Sequence, residues 1–467
     1  KKRKPIVYGL PWAELSVIKS DSMGKVHLKK FRLGLRNLFL IGTGMMVPIA
    51  AQAVVVQEIH SFPSIPTPDS VLVQDSSGAF YGTTSSGGDF GLGTIYRATT
   101  NGVIQTLLSF DKTNGSYPNG PMVLGPDDAL YGTTMSGGDN GGGTVFRVMT
   151  NGDLTTLASF DYFTTGVNPR SGLVRGNDGI FYGITSHGGR DLFDEGTVFQ
   201  ITTNGVLSTL FSFFNQLLAP IRYPIGASPS ALTMGNDGAL YGVTLSGGAH
   251  DSGTIFRLTT NRTLSVLFSF TDTNRQKSEV SLTAGSNGMF YGTTFCDLPQ
   301  ATTLFQFGTN GDLTIIANYT NELAFNAGLA QASNGILYGT ANSAGLGTNY
   351  TEGAIFRWET GSGLVTLIPI TNWDVYSPRA GLMPGQDGAL YGTMTAGGDN
   401  NYGAVVRVTT NGELTAVASF QNTNGAEPQA GLLEAGDGMF YGTTAQGGSN
   451  NYGTVFRITA DGTLQTV

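Results

Sequence analysis

One short word of residues is spelled eight times along this chain: LYGTT, a glycine-rich break, GTVFR, TTNG and LTTLASF. Its Tyr-Gly pairs begin at Tyr81, Tyr131, Tyr182, Tyr241, Tyr291, Tyr338, Tyr391 and Tyr441, at spacings of 50, 51, 59, 50, 47, 53 and 50 residues. A period of that size belongs to propellers and other repeat arrays, in which each unit buries its apolar faces only against its neighbours. The repeat therefore constrains the fold far more than it constrains the activity.

Within the copy from Pro118 to Phe160, the apolar segments are Met122–Leu124, Ala129–Tyr131, Thr144–Val148 and Leu154–Phe160. Each is short, rich in β-branched and aromatic residues and bounded by Gly, Asn, Asp or Pro, the pattern of strands joined by turns. Nothing after residue 54 sustains a helical apolar period. The expectation is an all-β propeller of eight four-stranded blades, with the first strand of each lining a central channel. Seven blades, or a parallel β-helix, are the alternatives; the β-helix fits less well because its coils are shorter and lack tight Asn-Gly hairpins.

The connections distinguish the two ends of such a ring. Asp-Gly turns (Asp178-Gly179, Asp237-Gly238, Asp387-Gly388) join first to second strands, and Asn-Gly turns (Asn151-Gly152, Asn204-Gly205, Asn411-Gly412) join third to fourth. Both fall on one side of an up-and-down sheet. The longer second-to-third and fourth-to-first links, such as 136–143 and 111–120, fall on the other, where binding usually resides.

The first 53 residues are of another kind. Met23 opens a basic stretch, followed by LFLIGTGMMVPIA and by Ala51-Gln52-Ala53, the layout of a secretory signal peptide over 23–53 with cleavage after Ala53. A membrane anchor is the competing reading, but the apolar run is short for a span and holds Gly and Pro. Residues 1–22 read as an over-extended reading frame, which leaves 54–467 as a single propeller. Ten of the 25 basic and two of the 33 acidic residues precede residue 54, so the remainder has a formal charge of −16. That sign disfavours nucleic acid and anionic membranes as partners. Residues 54–62, VVVQEIHSF, match a fourth strand, whereas the last copy stops at Leu464-Gln465-Thr466-Val467. Either the amino-terminal strand clasps the last blade, or the chain is cut short.

The repeated polar residues have architectural readings. Arg97, Arg147, Arg257, Arg357, Arg407 and Arg457 recur on third strands, with Gln200 and Gln306 in the other copies, and a guanidinium there needs carboxylate or carbonyl partners. Tyr-Gly reads as a packing unit with close backbone approach, against a sugar-stacking platform as the alternative. Asp89, Asp139 and Asp399 follow Gly-Gly, which raises calcium as a ligand, though each loop offers one carboxylate where Ca²⁺ takes six to eight oxygens. No cofactor is expected beyond that. The lone Cys296 cannot form an internal disulfide, and no nucleophile or metal-protease motif occurs.

Where the repeat loosens, His187, Asp191, Asp194 and Glu195, then His250 and Asp251, stand in long-side loops of adjacent copies. They are the candidate ligand-binding residues, and carboxylates of this kind also keep open a glycan-active hydrolase or lyase.

The word DGxLYGTTxxGGxxxxGTVFRxTTNGxLTTLxSF resembles the Gloeo/Verruco (GloVer) tandem repeat of exported bacterial proteins over residues 60–467. The match is tight at 71–110, 121–160, 381–420 and 431–467 and looser around 281–370. The resemblance implies an extracellular protein. The expectation is a secreted, non-enzymatic recognition or structural module, with a surface glycan or a protein as partner.

Overall fold

A computed structural model describes residues 16–20, 26–30, 57–61 and 70–459, apart from 101–102, 170, 190–194, 215–223, 272–281, 298–299, 321–322, 326–327, 344–352, 360–362 and 371–374. The chain divides into units Lys1–Gln52 and Ala53–Val467. In the first, Ser16–Ser20 pairs antiparallel with Val26–Lys30. The apolar stretch and the expected cleavage site at Ala53 lie outside the described residues, as do Leu464–Val467.

The second unit is an eight-bladed β-propeller. Eight antiparallel sheets follow one another along the chain, one per copy of the repeat. In the second blade, Leu130–Ser136 pairs with Thr144–Val148, which pairs with the outer Leu154–Ser159. The inner edge differs from the sequence reading. It is made of two short pieces, Ser116–Pro118 and Val123–Leu124, both bonded to Leu130–Ser136. Pro118, Gly120 and Pro121 interrupt the ladder between them, because proline has no N–H to donate. The third blade repeats the split with Val167–Pro169 and Val174–Arg175, whereas the fourth runs unbroken from Ala227 to Met234 around a bulge.

Glycine in the Tyr-Gly pair is required by the strand beside it. Gly132 lies opposite Phe146, and a Cβ there would stand 2.4 Å from the ring's Cζ. The phenyl ring thus lies across the bare backbone of its own blade. Buried threonines knit the same two strands: Thr134 and Thr144 share a hydroxyl bond of 2.8 Å, and Thr144 also donates to the Asn114 carbonyl of the incoming link. The pair recurs at Thr84–Thr94, Thr185–Thr197, Thr244–Thr254 and Thr444–Thr454.

Between blades the contact is aromatic. Tyr131 stacks on Phe181 of the next blade, Tyr241 on Phe290 and Tyr391 on Phe440, with centroids 4.0–4.2 Å apart. Elsewhere leucine takes the phenylalanine position, so Tyr81 packs with Leu130, Tyr182 with Leu240 and Tyr338 with Leu390. All eight tyrosines are essentially buried.

The ring closes through its amino-terminal strand. Gln57–Ser61 pairs antiparallel with Thr454–Thr459 and supplies the outermost strand of the last blade. The last blade then meets the first: Tyr441 and Val455 share a core with Leu72, Phe80 and Tyr96. A strand from one end of the chain thus completes a sheet made by the other end.

Candidate functional site

The short-turn end of the propeller is occupied by a repeated polar triad. In the second blade the Tyr131 hydroxyl donates to Asp127 Oδ2 at 3.0 Å, and Arg147 donates to the same oxygen through Nε at 2.8 Å and Nη2 at 2.6 Å. Asp237–Tyr241–Arg257 and Asp387–Tyr391–Arg407 repeat the arrangement. The aspartate is the residue of the first-to-second turn, so the arginine ties its strand to its own blade's turn rather than to a neighbouring blade. Burial pushes Tyr391 up to about 12, and the adjacent carboxylate adds to that. Burial also works against the charge of Asp127, but hydrogen bonds from Arg147 and Tyr131 outweigh it and hold the carboxyl below its ordinary range. These groups are committed to one another.

The long-loop end is built from six-residue Gly-Gly links whose fifth position is left-handed: Gly91, Gly141, Asp251, Asn401 and Asn451 have φ between 53° and 72°. Asx side chains tolerate that conformation and bond locally. Asp251 and Asn401 each accept, at Oδ1, the N–H of the first glycine of their own link. Serine at the end of the outer strand pins the same link: Ser109, Ser159 and Ser419 accept from the N–H groups of Asp89, Asp139 and Asp399 at 3.2 Å. The carboxylates of those three aspartates point from exposed positions, and among the described residues no three His, Cys, Asp or Glu side chains converge to hold a metal.

The sequence candidates are placed unequally. His187 is exposed at the end of the strand Phe181–His187, and His250 is exposed in the next blade's link. Asp191 and Asp194 lie outside the described residues. Glu195 bridges to Gly188 through its backbone, and its carbonyl accepts from the Ser228 N–H of the fourth blade at 2.7 Å, with the two side chains 3.4 Å apart. The same inter-blade bond is made by Leu92 to Tyr117, Gly142 to Asn168 and Tyr402 to Glu427. Glu195 thus occupies a repeated linking position.

Comparison with the repeat word alone passes over the exposed aromatics. Phe90, Tyr117, Phe163, Phe214, Tyr402 and Tyr452 are between 36% and 61% exposed, and all six stand in the long links or at the strand ends that adjoin them. They belong to successive sectors of the ring, from the seventh blade through the eighth and first to the link before the fourth. The other exposed large apolar side chains described are all valines, Val71, Val103, Val206 and Val266. The signal was present copy by copy: SGGDFGLG places Phe90 where SGGDNGGG has Asn140.

The family model of the Gloeobacter/Verrucomicrobia repeat matches residues 42–224, 217–351 and 299–467. No curated protein matches the chain. Among solved structures, virginiamycin B lyase from Staphylococcus aureus with quinupristin is similar at 15% identity, covering 73% of this chain and 95% of that one, with a TM-score of 0.44. The periplasmic gluconolactonase of Pseudomonas aeruginosa is similar at 16% identity over 67% and 87%, with a TM-score of 0.44. The extracellular domain of a one-component system from B. thetaiotaomicron matches at 12% identity over 87% of this chain and 46% of that one, with a TM-score of 0.46. Identities this low attach none of those proteins' activities to this chain.

Proposed function

The chain belongs to the Gloeobacter/Verrucomicrobia repeat family, and we propose that it acts as a secreted or cell-surface recognition module, without catalysis, that holds an extended glycan on its long-loop face. The observation that carries this reading is that, among the described residues, the exposed aromatic side chains are confined to that end of the ring. The repeated Asp–Tyr–Arg triads, by contrast, are consumed in holding turns and strands together.

Phe90, Tyr402 and Tyr452 stand among Gly, Asn and Asp, while Phe163 lies edge-on to Tyr162 with centroids 5.4 Å apart and Phe214 follows the buried Phe213, so the exposed rings are spread over separate links. A protein interface concentrates its apolar groups in a water-excluding core. A glycan instead offers an apolar ring face and a rim of hydroxyls at each unit, which suits separated aromatic platforms flanked by polar loops. Export is supported by the basic-then-apolar layout of residues 23–53. Among the described residues no helix is long and apolar enough to cross a membrane.

The test is a glycan array and titrations with cellohexaose, chitohexaose and mannohexaose on residues 54–467, beside a Phe90→Ala/Phe163→Ala/Phe214→Ala variant of equal thermal stability. The reading expects binding to at least one oligosaccharide, weakened tenfold or more in the variant. Absence of oligosaccharide binding, with capture of a protein ligand by the same face, would replace it.

A further inference from the structure

Two departures from the repeat meet in one cavity on the opposite, short-turn end. In the first copy the turn aspartate has moved. Asp127, Asp178, Asp237, Asp387 and Asp437 stand four residues before their tyrosines, but Ser77 occupies that place before Tyr81 and the carboxylate sits at Asp75, six residues before. Asp75 keeps the tyrosine, accepting from the Tyr81 hydroxyl at 2.9 Å, while its other oxygen is taken by Ser77 and by the Ala79 N–H. It does not reach the arginine. Arg147, Arg257, Arg357 and Arg407 each hold a carboxylate. Among the described residues Arg97 holds none and keeps only the bond from Nε to the Tyr81 hydroxyl at 3.2 Å.

The second departure is in the neighbouring blade. The third turn position is Gly in seven copies, with φ between 74° and 84° from Gly78 to Gly438, and is Asp128 in the second, at φ 57°. Asp128 tolerates the left-handed conformation as Asp251 does, but Asp251 spends its carboxylate on the N–H of its own link. Asp128 is exposed and has no hydrogen bond or ion pair among the described residues. Asp75, Ser76, Ser77, Tyr81 and Arg97 from the first blade, with Asp128 and Thr150 from the second, line a cavity of about 250 Å³.

We infer that this inter-blade cavity is a binding site for a single neutral, hydroxyl-rich ring, a monosaccharide or the terminal unit of a glycan. Charge selects the class. An anion would meet Arg97 but be repelled by Asp75 and Asp128, and a cation would face the guanidinium. A pair of adjacent hydroxyls both donates and accepts, so one ligand satisfies the guanidinium edge, the Asp128 carboxylate and the Ser76 and Thr150 hydroxyls together. Size suits one ring: the hollow of about 250 Å³ lies just under the range of about 300–1,000 Å³ typical of ligand pockets and is open to solvent, so further units of a glycan would extend outward. The site is independent of the long-loop reading, since it lies at the other end of the ring.

The repeat itself supplies the control. Asp128→Gly restores the ordinary turn and is expected to fold at least as well as the parent; Ser77→Asp restores the carboxylate that pairs arginine in sister blades but gives up the Ser77 hydroxyl bond to Asp75, so thermal melting is read beside it. Saturation-transfer NMR with D-glucose, D-galactose and D-mannose, beside D-glucuronate and glycine, reads the site. The expected result is binding of at least one neutral hexose, weakened tenfold or more by either variant and unchanged by the Phe90/Phe163/Phe214 alanine variant. Hexose binding that survives Ser77→Asp/Asp128→Gly overturns the proposal, as does preference for the anionic or zwitterionic probe, or no hexose binding by the parent protein.

Discussion

Tyr441 of the last blade stacks on Phe80 of the first, ring centroids 4.0 Å apart and planes 29° from parallel. This is the contact that Tyr131 makes with Phe181 in the middle of the chain. The seam between the two ends is therefore built from the same aromatic stack as the interfaces of Tyr131, Tyr241 and Tyr391. It is reinforced by Arg457, whose Nη1 donates to the Thr100 carbonyl at 2.6 Å, and by Gln74, whose Oε1 accepts from the Gly436 N–H at 3.3 Å.

The clasp strand is what the seam depends on. Removing residues up to Ser61 strips the partner from Thr454–Thr459 and leaves an unpaired edge in the last blade. The shortened protein is expected to melt several degrees lower and to self-associate on warming, measured by calorimetry and light scattering. An unchanged melting temperature would mean that the aromatic seam alone holds the ring.

Close backbone approach gives a matched pair of glycine substitutions. Gly132→Ala drives a methyl against the Phe146 ring and is expected to cost about 1–3 kcal/mol, as overpacking does. At Gly392 the facing residue is Val406, and the nearest atom is the flexible Leu382 Cδ2 at 2.7 Å. Gly392→Ala should cost under about 1 kcal/mol. Denaturant unfolding of the two variants decides the ranking, and equal costs would refute the packing explanation.

The triads predict a stability plateau with two edges. Asp127, Asp237 and Asp387 have depressed folded values, so their contribution is present above the ordinary carboxylate value near 4 and is lost as pH falls through the folded one. Tyr391 is pushed up to about 12, so its contribution is present below the ordinary tyrosine value near 10 and is lost as pH rises through 12. Melting temperature against pH should fall at both ends, and Asp127→Asn/Asp237→Asn/Asp387→Asn should flatten the acidic fall. An acid limb unaltered in that variant would assign acid unfolding to other carboxylates.

Much of the architecture was legible because the repeat exposes its own grammar. Tight Asp-Gly and Asn-Gly turns identified the short end, and VVVQEIHSF matched an outer strand that the structure places on the last blade. The arginine partners were anticipated by type but not by address: their carboxylates are the aspartates of the first-to-second turns, 20 positions upstream. The split inner strand escaped detection because Ser116–Pro118 carries no apolar pattern and ends in proline. The site was less legible. Attention to His187, Glu195, His250 and Asp251 followed loop irregularity, whereas Asp251 and Glu195 perform turn and linking bonds that other copies perform with Asn401 and Gly142. Both proposed sites rest on deviations at positions whose repeat role is already known: Phe90 at the long-loop end, Ser77 and Asp128 at the short-turn end.

The most direct test of the recognition reading is a hydrogen-exchange footprint of the propeller with the tightest-binding hexasaccharide. The account predicts protection in the links around Phe90, Tyr117, Phe163, Phe214, Tyr402 and Tyr452, with the Asp-Gly turns unchanged. Protection confined to those turns, or spread without regard to the long-loop end, would contradict it.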